Sequence, residues 1–396
     1  MSGALIQLVS KGVQDMYLTS DEGMSFFRTK FTRHTNFSQA PKFIKTISDS
    51  DNSIIIPVLG DIINGLWFET DTNSNANIAS NLFYKSTLDL FIGGQKIDSQ
   101  HFDYYSEIWP NYLADTYNKS QELNNKASLS NKFFVPLHFF FCDHKAFLPL
   151  VALQNHQVEI RINFDETNIA GILANEKKAH MYGNYVYLDT EERESLVKRS
   201  LDFVITQTQR VEFPLNSITD NQSESGGYNT LDLSPFNHPV KSLFFGFGAS
   251  QVNPALDRFS FTNVDLYING TPLLENMSPV YFHTAQNYYK SSYGKTSFNT
   301  ISHSPNYTRY FAYHFCMNAS DYNPSGSCNF SRLDNAKLVL RGVEAVGRSY
   351  MYVYAVNYNV LRIKDGLAGT KALEDQAPAL NEGSTPVRRA LDLALT

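Results

Sequence analysis

Ten histidines and three cysteines are the side chains of this chain most able to ligate a metal or attack a substrate. Their spacing supports neither role. A cupin-type metal site needs His-x-His with a downstream Glu, and no His-x-His occurs. His138 and His144 stand six apart across an apolar run, which suits ligand spacing on neither a strand nor a helix. Cys142, Cys316 and Cys328 are odd in number, widely spaced and without Cys-x-x-Cys, so they indicate neither a zinc ribbon nor a redox pair. They read as small core residues in a reducing compartment. The stretch Pro324–Arg332 holds Gly, Ser and Asn in the manner of a nucleotide loop. It lacks Gly-Lys-Ser/Thr and a second glycine at the right spacing, so it reads as a turn feeding a strand. Its Ser and Asn side chains would then satisfy backbone groups. No Gly-x-Ser-x-Gly elbow is present. The expectation is therefore no catalytic residue, no cofactor site, no metal site and no enzyme activity.

What the sequence does carry is a duplication. Residues 86–94 read Ser-Thr-Leu-Asp-Leu-Phe-Ile-Gly-Gly and residues 262–270 read Thr-Asn-Val-Asp-Leu-Tyr-Ile-Asn-Gly. Asp89 matches Asp265 at an offset of 265 − 89 = 176. Asn111-Tyr112 matches Asn287-Tyr288, and His138 matches His314, at the same offset. Three matches at one spacing define an internal repeat. Its period is the size of a domain and far too long for a solenoid. The paired histidines then point to a shared structural role.

The elements that carry the repeat are strands. Charged residues are 18% of the chain, against a usual share of about 25%, while 23 Tyr and 29 Phe favour strands and large covered contacts. Gln157–Phe164 and Tyr350–Ile363 alternate between two faces, and Gly93-Gly94 suits a tight hairpin. Strand-like runs begin at Met24–Phe37. Phe102, Tyr105, Trp109 and Tyr112 recur at helical spacing, with Pro110 expected to split them into two short helices. Asp189 through Glu192 reads as a capped helix start, with Glu194 and Lys198 paired four apart. A net charge of −6 and no basic stripe argue against direct nucleic-acid binding. No secretory signal is visible, so the many Asn-x-Ser/Thr sequons are not expected to be glycosylated in the ER. No apolar run approaches the ~20 residues of a membrane span.

Several stretches then support a family. Pro324-Ser325-Gly326-Ser327-Cys328-Asn329-Phe330-Ser331-Arg332 resembles the most recognisable motif of the major capsid proteins of nucleocytoplasmic large DNA viruses. Gly3–Val9, Gln14–Thr19, Arg33–Phe37, Leu188–Arg193 and Tyr358–Ile363 resemble other segments of that family, in family order. The resemblance implies an all-β double jelly roll, two tandem eight-stranded rolls with short helical insertions. It implies a structural protein that forms homotrimeric, pseudo-hexagonal capsomers and tiles an icosahedral shell. Its partners would be other copies of itself, neighbouring capsomers and minor capsid proteins beneath the shell, with an internal membrane nearby. It would reside in the virion after assembly in the host cytoplasm. A minor capsid paralogue of the same fold and a carbohydrate-binding jelly-roll module are the alternatives.

The expected organisation is an N-terminal arm at 1–23, a first roll at 24–212 and a linker at 213–229. A second roll follows at 230–366 and a tail at 367–396. The tail is expected to be a flexible extension ending in a short docking helix, with Thr385 as cap and Val387, Leu391 and Leu395 as its apolar stripe.

Overall fold

The computed structural model describes residues 12–17, 27, 29, 31–47, 52–71, 85–120, 132–143, 145–164, 179–215, 228–248, 261–292, 310–343 and 350–370. The expected docking helix of the tail, the opening motif Gly3–Val9 and His144 lie outside them. Residues 1–36 form a compact unit of their own, which includes a 3-10 turn at Val13–Tyr17. The expected strand over Met24–Phe37 is not found where it is described. Residues 31–36 carry no strand, and the first one begins at Phe37.

The first half contains β1 (Phe37–Ile47), β2 (Ser53–Ile55), β3 (Ile62–Asp71), β4 (Thr87–Ile92), β5 (Gln95–His101), β6 (Lys132–Pro136), β7 (Leu148–Pro149), β8 (Val158–Asn163) and β9 (Ala179–Leu188). Helix α1 (Tyr104–Leu113) follows β5, and α2 (Thr190–Lys198) follows β9. The second half contains β10 (Leu201–Pro214), β11 (Tyr228–Asp232), β12 (Pro239–Gly246), β13 (Asn263–Ile268), β14 (Thr271–Met277), β15 (Tyr310–His314), β16 (Cys328–Asn329), β17 (Ala336–Arg341), β18 (Tyr350–Lys364) and β19 (Leu367–Thr370). Helix α3 runs through Tyr281–Ala285 and Gln286–Lys290.

Two sheets pack face to face in each half. The first roll pairs β1-β9-β3-β6, with β7 on β3, against β2-β8-β4-β5. The second pairs β10-β18-β12-β15, with β16 and β19 attached, against β11-β17-β13-β14. The two orders correspond strand for strand, and every ladder among the described residues is antiparallel. This is the double jelly roll. Each roll has its own core, one around Leu88, Leu90, Ile160 and Phe68, the other around Val264, Leu266, Phe245 and Leu340.

The repeat shows in the geometry. Strands β4 and β13 start 263 − 87 = 176 residues apart, and β5 and β14 start 271 − 95 = 176 apart. Both hairpins turn through two left-handed residues, Gly93-Gly94 at φ +58° and +81° and Asn269-Gly270 at +49° and +78°. That conformation matches the twist of the flanking strands, and glycine adopts it without a steric cost. The matched aspartates do the same work in each roll. Asp89 bonds Ser99 at 2.6 Å and Lys96 at 2.9 Å on β5, and Asn163 at 3.1 Å on β8. Asp265 accepts from the Asn276 N–H at 2.6 Å on β14 and from Arg341 at 2.5 Å on β17. Each nearly buried carboxylate ties its central strand to both neighbours.

Two expectations are corrected. Strand β10 pairs along its full length with β18, from Leu201↔Ile363 to Pro214↔Tyr350, so residues 201–212 belong to the second roll's sheet. The chain passes between rolls at α2 and not at the polar stretch 213–229, which joins β10 to β11 inside the second roll. The second roll likewise extends to Thr370, because β19 folds back on β18. Helix α1, secondly, is not broken at Pro110. It coils as a π-helix straight through this residue and ends where the Ala114 N–H donates to the Trp109 carbonyl, 3.0 Å away and five residues back. The wider coil leaves room for the ring that would clash in an α-helix.

Candidate functional site

The sequence offered no site, and several of the residues that tempted one have structural partners in the fold. Gly326 sits at φ +132°, where a Cβ would press on the Cys316 backbone at 3.3 Å. Around it, Ser325 Oγ accepts from the Asn318 N–H and Asn329 Oδ1 accepts from the Ser331 N–H, both at 3.1 Å. Ser331 Oγ accepts from the His238 N–H at 2.8 Å. Phe330 is buried in the second core. The motif is a folded turn whose polar side chains satisfy backbone, as its composition suggested. Cys316 is buried, Cys142 and Cys328 are half-buried, and burial pushes all three thiols up, Cys142 to about 12. Such thiols are poor nucleophiles at neutral pH. Among the described residues, no group of three His, Cys, Asp or Glu side chains is placed to hold a metal ion. No helix among them is long and apolar enough to cross a membrane.

The extended contact of this molecule is the joint between its rolls. Helix α1 leaves the first roll and lays Tyr104, Ile108, Tyr112 and Leu113 on the outer face of the second roll's sheet. There they meet Phe244, Tyr310, Ala312, Tyr354 and Val356. Tyr112 is fully buried, 5.6 Å from the Phe244 ring. Its hydroxyl donates to the Tyr310 carbonyl, and the His283 ring nitrogen lies 3.0 Å away. The Tyr310 hydroxyl donates to Asp103 at 2.9 Å, and Ser320 Oγ donates to the Ala114 carbonyl at 3.0 Å. Each fully buried aromatic ring contributes about 1.5–3 kcal/mol, so the packed rings carry much of this joint's strength.

A second link runs beside it. Asp98, on β5, accepts from the Thr208 N–H at 2.8 Å and its hydroxyl at 2.9 Å, on β10. Burial pushes the Asp98 carboxyl up, and these bonds with those from Gln100 and Ser99 oppose the rise. The first core also receives Ile205 from β10 and Leu361 and Ile363 from β18. The opposite ends of the same strands, Val211, Phe213, Met351 and Val353, pack on the second core. One ladder therefore serves both cores.

The two matched histidines both lie at this joint. His314 closes β15 and His138 stands two residues beyond the end of β6, each two residues after a paired residue of its strand, Ala312 opposite Phe244 and Pro136 opposite Trp67. The His138 ring stacks on Trp109 at 3.7 Å, and His314 is buried beside Tyr112 and Phe244. Burial lowers both to about 3, aided at His138 by Lys119 and at His314 by Lys241 and Lys290. Both are neutral at physiological pH, which suits packing. Beside His138 a cavity of about 70 Å³ is lined by this ring with Trp109, Asp143, Lys241 and Asp321. It has room for water and is too small for a metabolite. Lys241 reaches the Asp321 carbonyl there at 2.8 Å, and burial lowers its pKa. None of this joint was visible in the sequence. Helical spacing located α1, but nothing in one strand announces what covers its outer face.

Two jelly rolls locked through buried aromatics form one all-β body with broad sheet faces. Comparison with known proteins gives the family. A family model described as "Major capsid protein N-terminus" matches residues 25–189, and "Large eukaryotic DNA virus major capsid protein" matches residues 192–369. The seam between them falls at α2, where the structure changes rolls. The chain is similar to the major capsid protein of Pyramimonas orientalis virus, with 31% identity over 93% of this chain and 99% of that one. It is 27% identical to that of Paramecium bursaria Chlorella virus 1, over 93% of this chain and 99% of the relative. Among solved structures it shares its fold with the PBCV-1 virus capsid, at a TM-score of 0.70 and 22% identity over 88% of this chain and 100% of that chain. The chain belongs to the major capsid protein family of the nucleocytoplasmic large DNA viruses, a structural family and not an enzyme family.

Proposed function

We propose that this chain is the shell-forming subunit of a large icosahedral virus and acts as a homotrimeric, pseudo-hexagonal capsomer. The observation that carries the reading is the rigid pair of rolls with corresponding strand orders. Three such chains present six similar walls, so a threefold object packs like a sixfold one. One kind of chain then covers a large surface. An obligate interface of this type buries on the order of 2,000–5,000 Å² or more, and the exposed aromatics of this chain suit it. Further partners are neighbouring capsomers and minor capsid proteins beneath the shell. Assembly takes place in the host cytoplasm. Light scattering at micromolar concentration tests the reading. It should return a particle near three times 44.9 kDa, and a stable folded monomer with no larger species overturns it.

A further inference from the structure

We propose that α3 of one chain docks on the outer face of the first roll's β1-β9-β3-β6 sheet in a second copy, repeating between chains the contact that α1 makes within one. The inference rests on the homotrimer reading and adds to it the surface and the register.

The donor side follows from the repeat. Tyr112 and Tyr288 hold the same position, 288 − 112 = 176. Tyr112 is fully buried under the sheet of the second roll, whereas Tyr288 is 72% exposed. Tyr289 beside it is 79% exposed, and Val280 at the start of the same helix 63%. Two tyrosines and a valine in water on a short helix are an incomplete contact.

The receiving side follows from the ladders. Phe244, which Tyr112 touches, pairs with Ala312 on one side and Tyr354 on the other. Its chain neighbours Leu243 and Phe245 point into the second core. Trp67 pairs with Pro136 on one side and Tyr182 on the other, and its neighbours Leu66 and Phe68 point into the first core. Trp67 is thus the first-roll counterpart of Phe244, and Tyr182 of Tyr354. By the same count Phe134, opposite Glu69, stands where Tyr310 stands opposite Gly246. In the second roll this face lies under α1. In the first roll it is an aromatic platform that no helix covers among the described residues, half-buried at Trp67 and Tyr182 and exposed at its margins. Trp67 stacks on Tyr182 at 5.9 Å, with Phe134 and Phe43 at its margins, 40% and 52% exposed.

One chain therefore carries an uncovered aromatic helix and an uncovered aromatic sheet face, each the counterpart of a surface already buried in the intramolecular joint. The two patches differ, so the contact between copies is head-to-tail, which propagates around a ring and is not a two-fold pairing. The ring gains its last contact when the third chain meets the first.

Cysteine pairs in the full chain test this. Tyr288→Cys combined with Trp67→Cys should, on oxidation, give covalent dimers and trimers on a non-reducing gel. Tyr288→Cys with Phe134→Cys serves as a second pair that spares the larger ring. Each variant with only one of the introduced cysteines, in a chain whose Cys142, Cys316 and Cys328 are replaced by serine, should stay at monomer mass, because a head-to-tail contact never brings a residue against its own copy. A trimer by light scattering with no ladder from either pair overturns the docking and leaves the homotrimer standing. Self-linking of Tyr288→Cys alone overturns the docking in favour of a two-fold contact. A chain that stays monomeric overturns both.

Discussion

Mild acid should loosen this subunit through its joint histidines. Burial lowers His138 and His314 to about 3 and His101 to about 4, from an ordinary 6.5. Each proton then binds the unfolded chain more tightly than the folded one. Stability is complete above pH 6.5 and falls as the pH drops from there towards the folded value. At pH 5 one such histidine costs about 1.5 × 1.36, or ~2 kcal/mol. Three together approach ~6 kcal/mol, against a typical total of 5–15 kcal/mol. The carboxylates that their partners hold low, Glu159, Asp232 and Asp321, lose their contribution only in more acid solution. The raised carboxyl of Asp98 works in the opposite direction. A difference measurement removes both. His314 is fully buried, faces Lys241 and Lys290, and bonds Ser242 Oγ at 2.8 Å. The variant His314→Gln should lose roughly 1 kcal/mol at pH 7 from that bond. Between pH 7 and 5 it should then lose ~2 kcal/mol less than the parent chain. Urea midpoints at pH 7, 6 and 5, at one protein concentration, give the comparison. Equal pH slopes for variant and parent would refute the argument that His314 is held neutral by its burial.

Truncating the central anchor of the joint, Tyr112→Ala, should cost about 3–5 kcal/mol, and Tyr112→Phe only about 1 kcal/mol, by denaturant unfolding. The two hairpin glycines should respond differently to alanine. At Gly270 nothing lies within 4 Å of a new Cβ, so the cost is the left-handed strain of about 1–2 kcal/mol. At Gly93 the Cβ would also meet the His156 ring at 2.2 Å, so the melting temperature should fall further; equal shifts would mean that the ring moves freely. The two rolls should melt as one calorimetric transition with matching calorimetric and van't Hoff enthalpies, since β10 and β18 serve both cores.

How much of this was legible depends on the range of the signal. The β4–β5 and β13–β14 hairpins were readable because their turn residues and alternation are local, and because one is a copy of the other. The helix cap was readable for the same reason. Asp189 accepts from the Thr190 N–H at 2.7 Å, and Glu194 meets Lys198 at 2.6 Å. The break at Pro110 was misjudged because the rule for proline assumes an α-helical coil, and docking on the second sheet selects a wider one. Arg193 shows the limit most plainly. Its partner is Asp61, 2.8 Å away and 132 residues earlier, and no local pattern links the two.

The misplaced boundary teaches the more general point. A polar, glycine-bearing stretch such as 216–229 is a good mark of a loop, but a loop within a roll and a linker between rolls have the same composition. What distinguishes them is which strand pairs with which, and that is settled across more than a hundred residues. Leu201↔Ile363 and Pro214↔Tyr350 bracket the ladder that decides it. The repeat held the means to see this. If β4 and β13 are equivalent, then the strand opening the first roll, β1, needs a counterpart ahead of β11, and β10 is the strand in that position. With β10 in the second roll, α2 becomes the crossover. Its nine residues, none buried, are tethered to the first roll through the Arg193–Asp61 pair. The rolls are then joined by a short exposed helix, a buried helix on a sheet and one long ladder. Movement of one roll against the other would have to break all three together. A capsid shell needs that stiffness in its subunits, because a wall built of many copies is only as firm as each of them.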